Sequence, residues 1–185
     1  MKRIFIAIQT EPEESFQRMY LSLRSLLGSE KITWVSQGNI HLTLVFLGEI
    51  EEEMIKAAGI VLKQKCTGFG EFKFRLAGAG VFRNFKDPKV IWAGIENPDR
   101  LIELNDHITN GLRNAGFKTE ERHFKPHITI GRIKFIKNNE ALRSAIEKYQ
   151  NTFLQDIHVR DVILYESILK PAGPVYRPLG KFHLK

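Results

Sequence analysis

The sequence predicts a fold of mixed helices and strands, either one compact domain or two small lobes sharing a core. Three observations carry this reading. Four amphipathic helical stripes alternate with runs rich in Ile, Val, Phe and Thr, the loops between them are short, and the order helix, strand, helix occurs twice. The chain has 185 residues with 43% hydrophobic and 26% charged positions, which is ordinary globular composition and excludes a disordered or collagen-like chain.

The helices come first. Behind Pro12, Phe16, Met19, Tyr20, Leu23, Leu26 and Leu27 form one stripe that stops at Gly28. A second helix spans Glu51 to Lys65 around Ile55, Ala58 and Leu62, with Glu51, Glu52 and Glu53 at the positive end of its dipole. A third starts at Pro98-Asp99, buries Leu101, Leu104, Ile108, Leu112 and Ala115, and ends at Gly116. A fourth runs from about Asn139 to Tyr149 through Leu142, Ala145 and Ile146.

Seven runs read as strands: Arg3 to Gln9, Ile40 to Leu47, Glu71 to Ala77, Lys89 to Glu96, His127 to Lys134, Ile157 to Tyr165 and Val175 to Phe182. Gly78-Ala79-Gly80, Asn84 to Pro88 and Pro171 to Pro174 are expected to be turns or loops. No domain boundary is visible. The doubled order of elements suggests two similar lobes that face one another, with chance as the competing explanation.

Charge and cysteine content narrow the function. Lys and Arg number 28 against 21 Asp and Glu, a net charge of +7. Such an excess draws anions and polyphosphates toward the surface but names no reaction. No window reaches the ~18 apolar residues needed to cross a bilayer, and the run Ile4 to Ile8 is too short for a signal-peptide core. A cytoplasmic protein without membrane contact is the expectation. Cys66 is the single cysteine, so neither an internal disulfide nor a thiolate metal cluster can form, and it reads as core filler.

The chemistry lies in a repeated triplet. His41-Leu42-Thr43-Leu44 and His127-Ile128-Thr129-Ile130 share one pattern, and each falls in a strand-like run. Alternate strand residues share a face, so each His and its Thr project together ~6–7 Å apart while the aliphatic residues enter the packed face. A third triplet, His107-Ile108-Thr109, lies in the third helix. There, residues two apart point in opposite directions, so His107 reads as a solvated helix residue. Two imidazoles flanking one phosphorus can act as base and acid, each typically contributing ~10²–10⁴ in rate. Hydroxyls and a cation can hold the non-bridging oxygens. Neither strand offers the second ligand that a zinc or iron site wants, so no metal and no cofactor are expected.

With these motifs in their flanks, the sequence resembles the 2H phosphoesterases, and within them the RNA 2′,3′-cyclic phosphodiesterases first described as 2′-5′ RNA ligases. The likeness spans nearly the whole chain. It rests on Arg3 to Ile8, Asn39 to Leu44 leading into Phe46-Leu47-Gly48-Glu49, Trp92-Ala93-Gly94, Arg122 to Arg132, Leu164 to Ser167 and Gly173 to Tyr176. The resemblance implies a bilobal α+β fold in which two antiparallel sheets form a central cleft, with helices outside. Residues 1–185 would then form a single bilobal domain with two pseudo-symmetric lobes.

The resemblance further implies that His41 protonates the departing 3′ oxygen, His127 activates water, and Thr43 and Thr129 bind phosphate oxygens, leaving a 2′-phosphate. The division of acid and base between the histidines is its least constrained part. Arg132 matches a basic residue of the second motif, yet strict alternation turns it away from His127 unless a bulge intervenes, for which Gly131 is a candidate. Arg122 reads either as a cation at the cleft entrance or as an exposed loop residue. Trp34 and Tyr165 are candidates for stacking on a base, whereas Phe46, which has the parity of the packed residues Leu42 and Leu44, reads as core. His123, His158 and His183 lack a paired Thr and read as structural or surface residues. The expected partner is RNA or an oligonucleotide with a 2′,3′-cyclic phosphate end, bound by a monomer. Two other readings stay open: RNA ligation by the reverse chemistry, and a non-catalytic nucleotide- or RNA-binding module.

Overall fold

The computed structural model describes residues 1–119, 123–171 and 173–185. Nine strands and four helices are found among them: β1 (Lys2–Gln9), α1 (Glu14–Leu26), β2 (Lys31–Trp34), β3 (His41–Ile50), α2 (Glu52–Cys66), β4 (Phe72–Phe82), β5 (Val90–Glu96), α3 (Asp99–Asn114), β6 (Ile128–Phe135), α4 (Asn139–Glu147), β7 (Phe153–Val159), β8 (Asp161–Lys170) and β9 (Gly173–His183). They build the two antiparallel sheets of the expected α+β class, a first sheet ordered β3-β1-β8-β9 and a second ordered β2-β6-β5-β4-β7.

Burial follows the sequence pattern. Ile4, Ile6 and Ile8 of β1 enter the core, as do the α1 stripe of Phe16, Met19, Tyr20 and Leu23 and the α3 stripe of Leu101, Leu104, Ile108 and Leu112. Leu26 and Ala115, counted with these stripes from the sequence, are exposed because each lies where its helix ends. The N-terminus of α1 has no side-chain cap of its own. Instead, buried Gln155 of β7 accepts a hydrogen bond from the Glu13 amide at 2.9 Å and donates one to the Glu11 carbonyl at 3.0 Å. That supplies an acceptor for one of the amides that a helix start leaves open.

The helices cross between the sheets. α1 packs on β7 and α4, and α4 on β4, so both serve the second sheet; α2 packs on β8, β9 and α3, and α3 on β3, so both serve the first. The helix preceding β3 therefore rests on the opposite sheet to β3. The same holds for α3 and β6.

Three expectations about elements are corrected. Gly78-Ala79-Gly80 is not a turn but lies inside β4, where register shifts surround Leu76 to Ala79. Glycine is needed because Gly78 has φ +74° and a Cβ there would stand 2.4 Å from the Gln150 carbonyl oxygen. The run Ile157 to Tyr165 is not one strand, since the chain leaves the second sheet after Val159 and enters the first at Asp161. Finally, Lys31–Trp34 forms a short edge strand that periodicity over four residues is too brief to reveal.

Candidate active site

β3 carries His41 and Thr43 with Leu42 and Leu44 buried beneath, and β6 carries Thr129 between buried Ile128 and Ile130, with His127 at its entry. The two strands belong to different sheets and touch one another. Alternation thus places each His/Thr pair on the face turned away from the core, at the junction of the sheets.

Both imidazoles are held in the same way. Nδ1 of His41 lies 2.7 Å from the Asn39 carbonyl, and Nδ1 of His127 lies 2.7 Å from the Lys125 carbonyl. A carbonyl only accepts, so each Nδ1 carries the proton and donates it, leaving Nε2 as the reactive nitrogen. Nε2 of His41 is 3.0 Å from Thr43 Oγ1. The Asn39 side chain in turn donates to the Pro174 carbonyl at 2.8 Å, fixing the turn before His41 to β9.

Aromatic rings pack beside each histidine. Phe5 and Tyr176 have ring centroids 5.1 Å from that of His41, Tyr176 edge-on. With Ala7, Ile163 and Tyr165 they form a small apolar cluster separate from the main core. Phe82 of β4 meets His127 edge-on at 4.6 Å and Trp92 of β5 at 5.5 Å. The sequence singled out none of Phe5, Phe82, Trp92 or Tyr176 as a neighbour of a histidine. Their signal would have been strand parity: Phe5 lies opposite to the core residues Ile4 and Ile6.

Bulges decide two further residues. Trp92 pairs with Thr129 and Ile91 with Gly131, so Ile130 is an extra residue in β6. Both Ile130 and Gly131 are buried, and Arg132 returns to the face of Thr129, opposite Val90. The bulge on which its place depended is thus present. In β3, Ala7 pairs with Thr43 and Ile6 with Val45, which makes Leu44 the extra residue. The flip turns Val45 inward and leaves Phe46 39% exposed under the Arg3 guanidinium, 5.0 Å from the ring centroid. Phe46 is therefore not core, contrary to its sequence parity. The Leu44 carbonyl accepts a hydrogen bond from buried Asn105 of α3 at 2.7 Å.

The electrostatics link the sheets. Burial lowers the His41 pKa from its ordinary value; the Arg132 and His127 charges push it the same way, and the Asn39 carbonyl opposes them. His127 is lowered first by burial and further by Arg132, against the Lys125 carbonyl. Tyr176 of β9 is raised by burial, with the Arg132 and Arg3 charges opposing. One guanidinium of the second sheet is thus felt by His127 beside it and by His41 and Tyr176 of the first sheet. Arg132 has no carboxylate partner among the described residues.

Of the remaining sequence candidates, Tyr165 lies in the cluster beside His41 and lines the cavity there, whereas Trp34 packs edge-on against Tyr20 at 5.8 Å. His107 is exposed on α3 while Thr109 is buried, so that triplet forms no pair. His123 is exposed; His158 pairs with Glu71 at 2.8 Å and His183 with Asp161. Arg122 lies outside the described residues. Among the described residues no three His, Cys, Asp or Glu side chains gather as metal ligands, and no helix is long and apolar enough to cross a membrane.

Comparison with known proteins gives the family and the fold. The family model of the 2′-5′ RNA ligase superfamily matches residues 8–167. A Thermotoga maritima protein named RNA 2′,3′-cyclic phosphodiesterase is 37% identical over 177 residues, covering 96% of this chain and 92% of its own. A Methanocaldococcus jannaschii protein of the same name is 34% identical over 180 residues, covering 97% and 99%. Among solved structures, TT0787 of Thermus thermophilus superposes with a TM-score of 0.79 at 27% identity over 98% of this chain and 97% of its own. E. coli LigT complexed with 3′-AMP shares the fold, with a TM-score of 0.74 at 24% identity over 100% and 98%. Sheet order, paired His-x-Thr strands and full-length likeness lead to one conclusion: the chain belongs to the 2′-5′ RNA ligase superfamily, the 2H phosphoesterases.

Proposed function

We propose that this protein hydrolyses the 2′,3′-cyclic phosphate end of RNA to a 2′-phosphomonoester, without a metal, by acid and base catalysis from His41 and His127. The observation that carries this reading is the contact of β3 with β6 across the two sheets, each strand holding a His/Thr pair whose imidazole has Nδ1 on a backbone carbonyl 2.7 Å away and Nε2 left for the chemistry. The relatives' shared name, RNA 2′,3′-cyclic phosphodiesterase, supports the substrate class.

In this mechanism Nε2 of His127 takes a proton from water, the water oxygen bonds to phosphorus, and the P–O3′ bond breaks. His41 gives its Nε2 proton to the departing 3′ oxygen. Thr43, Thr129 and Arg132 hold the non-bridging oxygens, where charge-assisted contacts strengthen as charge builds. The reaction needs one imidazolium and one neutral imidazole. An anionic phosphate favours the imidazolium, offsetting the burial that lowers both pKa values in the free protein. We read residues 1–185 as one bilobal domain acting as a monomer, each lobe contributing one His/Thr pair.

The test is turnover of a 2′,3′-cyclic nucleotide in excess EDTA, with the product identified as the 2′-phosphate. His41→Ala and His127→Ala should each lower kcat by about 10²–10⁴ with unchanged circular dichroism. Full activity in either variant, or activity that vanishes in EDTA and returns with metal, overturns the mechanism.

A further inference from the structure

Two cavities reach the histidines and share no lining residue. One of about 380 Å³ includes His41, Asn39, Tyr165 and Tyr176; the other, about 750 Å³, includes His127, Phe82, Trp92, Arg83, Lys125 and Arg143. Ligand pockets run from roughly 300 to 1,000 Å³, so the smaller is of the size for one nucleoside and the larger exceeds what a water nucleophile needs.

We propose that the cavity beside His127 is a subsite for a second nucleotide of single-stranded RNA, next to the nucleotide whose phosphate reacts. The proposal rests on the function proposed above and extends it to the length of the substrate.

Its wall has the chemistry that single-stranded RNA requires, namely rings for bases and cations for phosphates. The Trp92 indole lies against backbone kept free of side chains, since a Cβ at Gly80 would stand 2.2 Å from Trp92 Cζ2 and one at Gly94 3.1 Å from Cζ3. Phe82 continues the aromatic surface from Trp92 to His127. The Arg143 guanidinium stacks on Phe85 at 4.5 Å and has Glu147 at 3.9 Å. Arg83 is paired with Asp87 at 2.6 Å, whereas Lys125 has no carboxylate partner among the described residues.

The second nucleotide has two possible sources, the same strand upstream of the cyclic end or a separate strand with a free 5′ hydroxyl. In the latter case the 5′ oxygen bonds to phosphorus, the P–O3′ bond breaks, the hydroxyl proton passes to one imidazole and the other imidazole protonates the 3′ oxygen. The product is a 2′-5′ phosphodiester.

The experiment compares kcat/KM for a cyclic mononucleotide and for a dinucleotide ending in the same cyclic nucleotide, using wild type, Trp92→Phe and Arg143→Glu. A parallel arm gives the cyclic mononucleotide together with a nucleoside bearing a free 5′ hydroxyl. The attached nucleotide should raise kcat/KM about tenfold, the range one stacked base supplies, and each variant should cut that ratio at least threefold. In the parallel arm, a saturable yield of 2′-5′ dinucleotide that falls in the variants supports the subsite and assigns it to a separate strand. With mononucleotide hydrolysis intact, neither a gain with length nor a saturable product overturns the subsite alone. Variants that lower both substrates equally also overturn it. No hydrolysis of any cyclic phosphate overturns the underlying function.

Discussion

The Lys125 carbonyl stands 2.7 Å from Nδ1 of His127, two residues along its own chain, and the Asn39 carbonyl stands at the same distance from His41. This relation dictates a tautomer. In ¹⁵N spectra above the histidine pKa, both rings should carry the proton on Nδ1; a proton on Nε2 in either ring would contradict the geometry.

Thr43→Val removes the hydroxyl 3.0 Å from His41 Nε2 while preserving the branched shape on β3. We expect kcat to fall about 10²-fold, the usual loss for one preorganised donor, with little change in melting temperature. A rate within twofold of wild type would remove Thr43 from the mechanism.

Arg132→Met tests the shared field. The guanidinium lowers both imidazole pKa values, so its loss should move both upward, together with both limbs of the kcat/KM profile. Burial remains and keeps both values below the ordinary ~6.5. The wild-type optimum should therefore lie on the acid side of that value and the variant's should shift alkaline, with a higher KM. An unmoved profile would exclude Arg132 from the site.

Asn105→Ala takes the buried partner from the Leu44 carbonyl, which the β3 bulge has turned out of the strand ladder. Leaving a buried acceptor unmatched costs about 1–3 kcal/mol. Urea denaturation should show that loss, and a variant as stable as wild type would mean that the carbonyl finds another donor.

Cys66, the last residue of α2, is buried, and burial, aided by Asp161, pushes its thiol up to about 12. The thiolate is the reactive form. A thiol reagent at pH 8 should leave the folded protein unmodified over hours and react within minutes in denaturant. Rapid labelling of the folded state would show that this part of α2 opens.

Much of the fold and the candidate site was legible in the sequence, for a local reason. His41, Thr43, His127 and Thr129 obey simple alternation, and the α1 and α3 stripes obey helical periodicity, so each is written within a few neighbouring residues. What escaped depends on distant partners. Phe46 changes face only because β1 pairs with β3 in a register that leaves Leu44 over. Gly78 and Gly80 look like turn residues until Gln150 and the Trp92 ring approach them. The corner at Arg160 has no Gly or Pro to announce it, and the company Phe82 and Tyr176 keep with the histidines comes from tertiary packing alone.

The crossed seating of the helices makes the site cooperative. A chain severed after Glu96 would give a first piece whose α1 lacks β7 and α4, and a second piece whose α3 lacks β3 and α2. Neither fragment could shelter an imidazole by itself, so the histidines stand or melt together. Recombined fragments should regain activity only by interlocking, with strands of both pieces in each sheet, α1 of the first on β7 of the second and α3 of the second on β3 of the first.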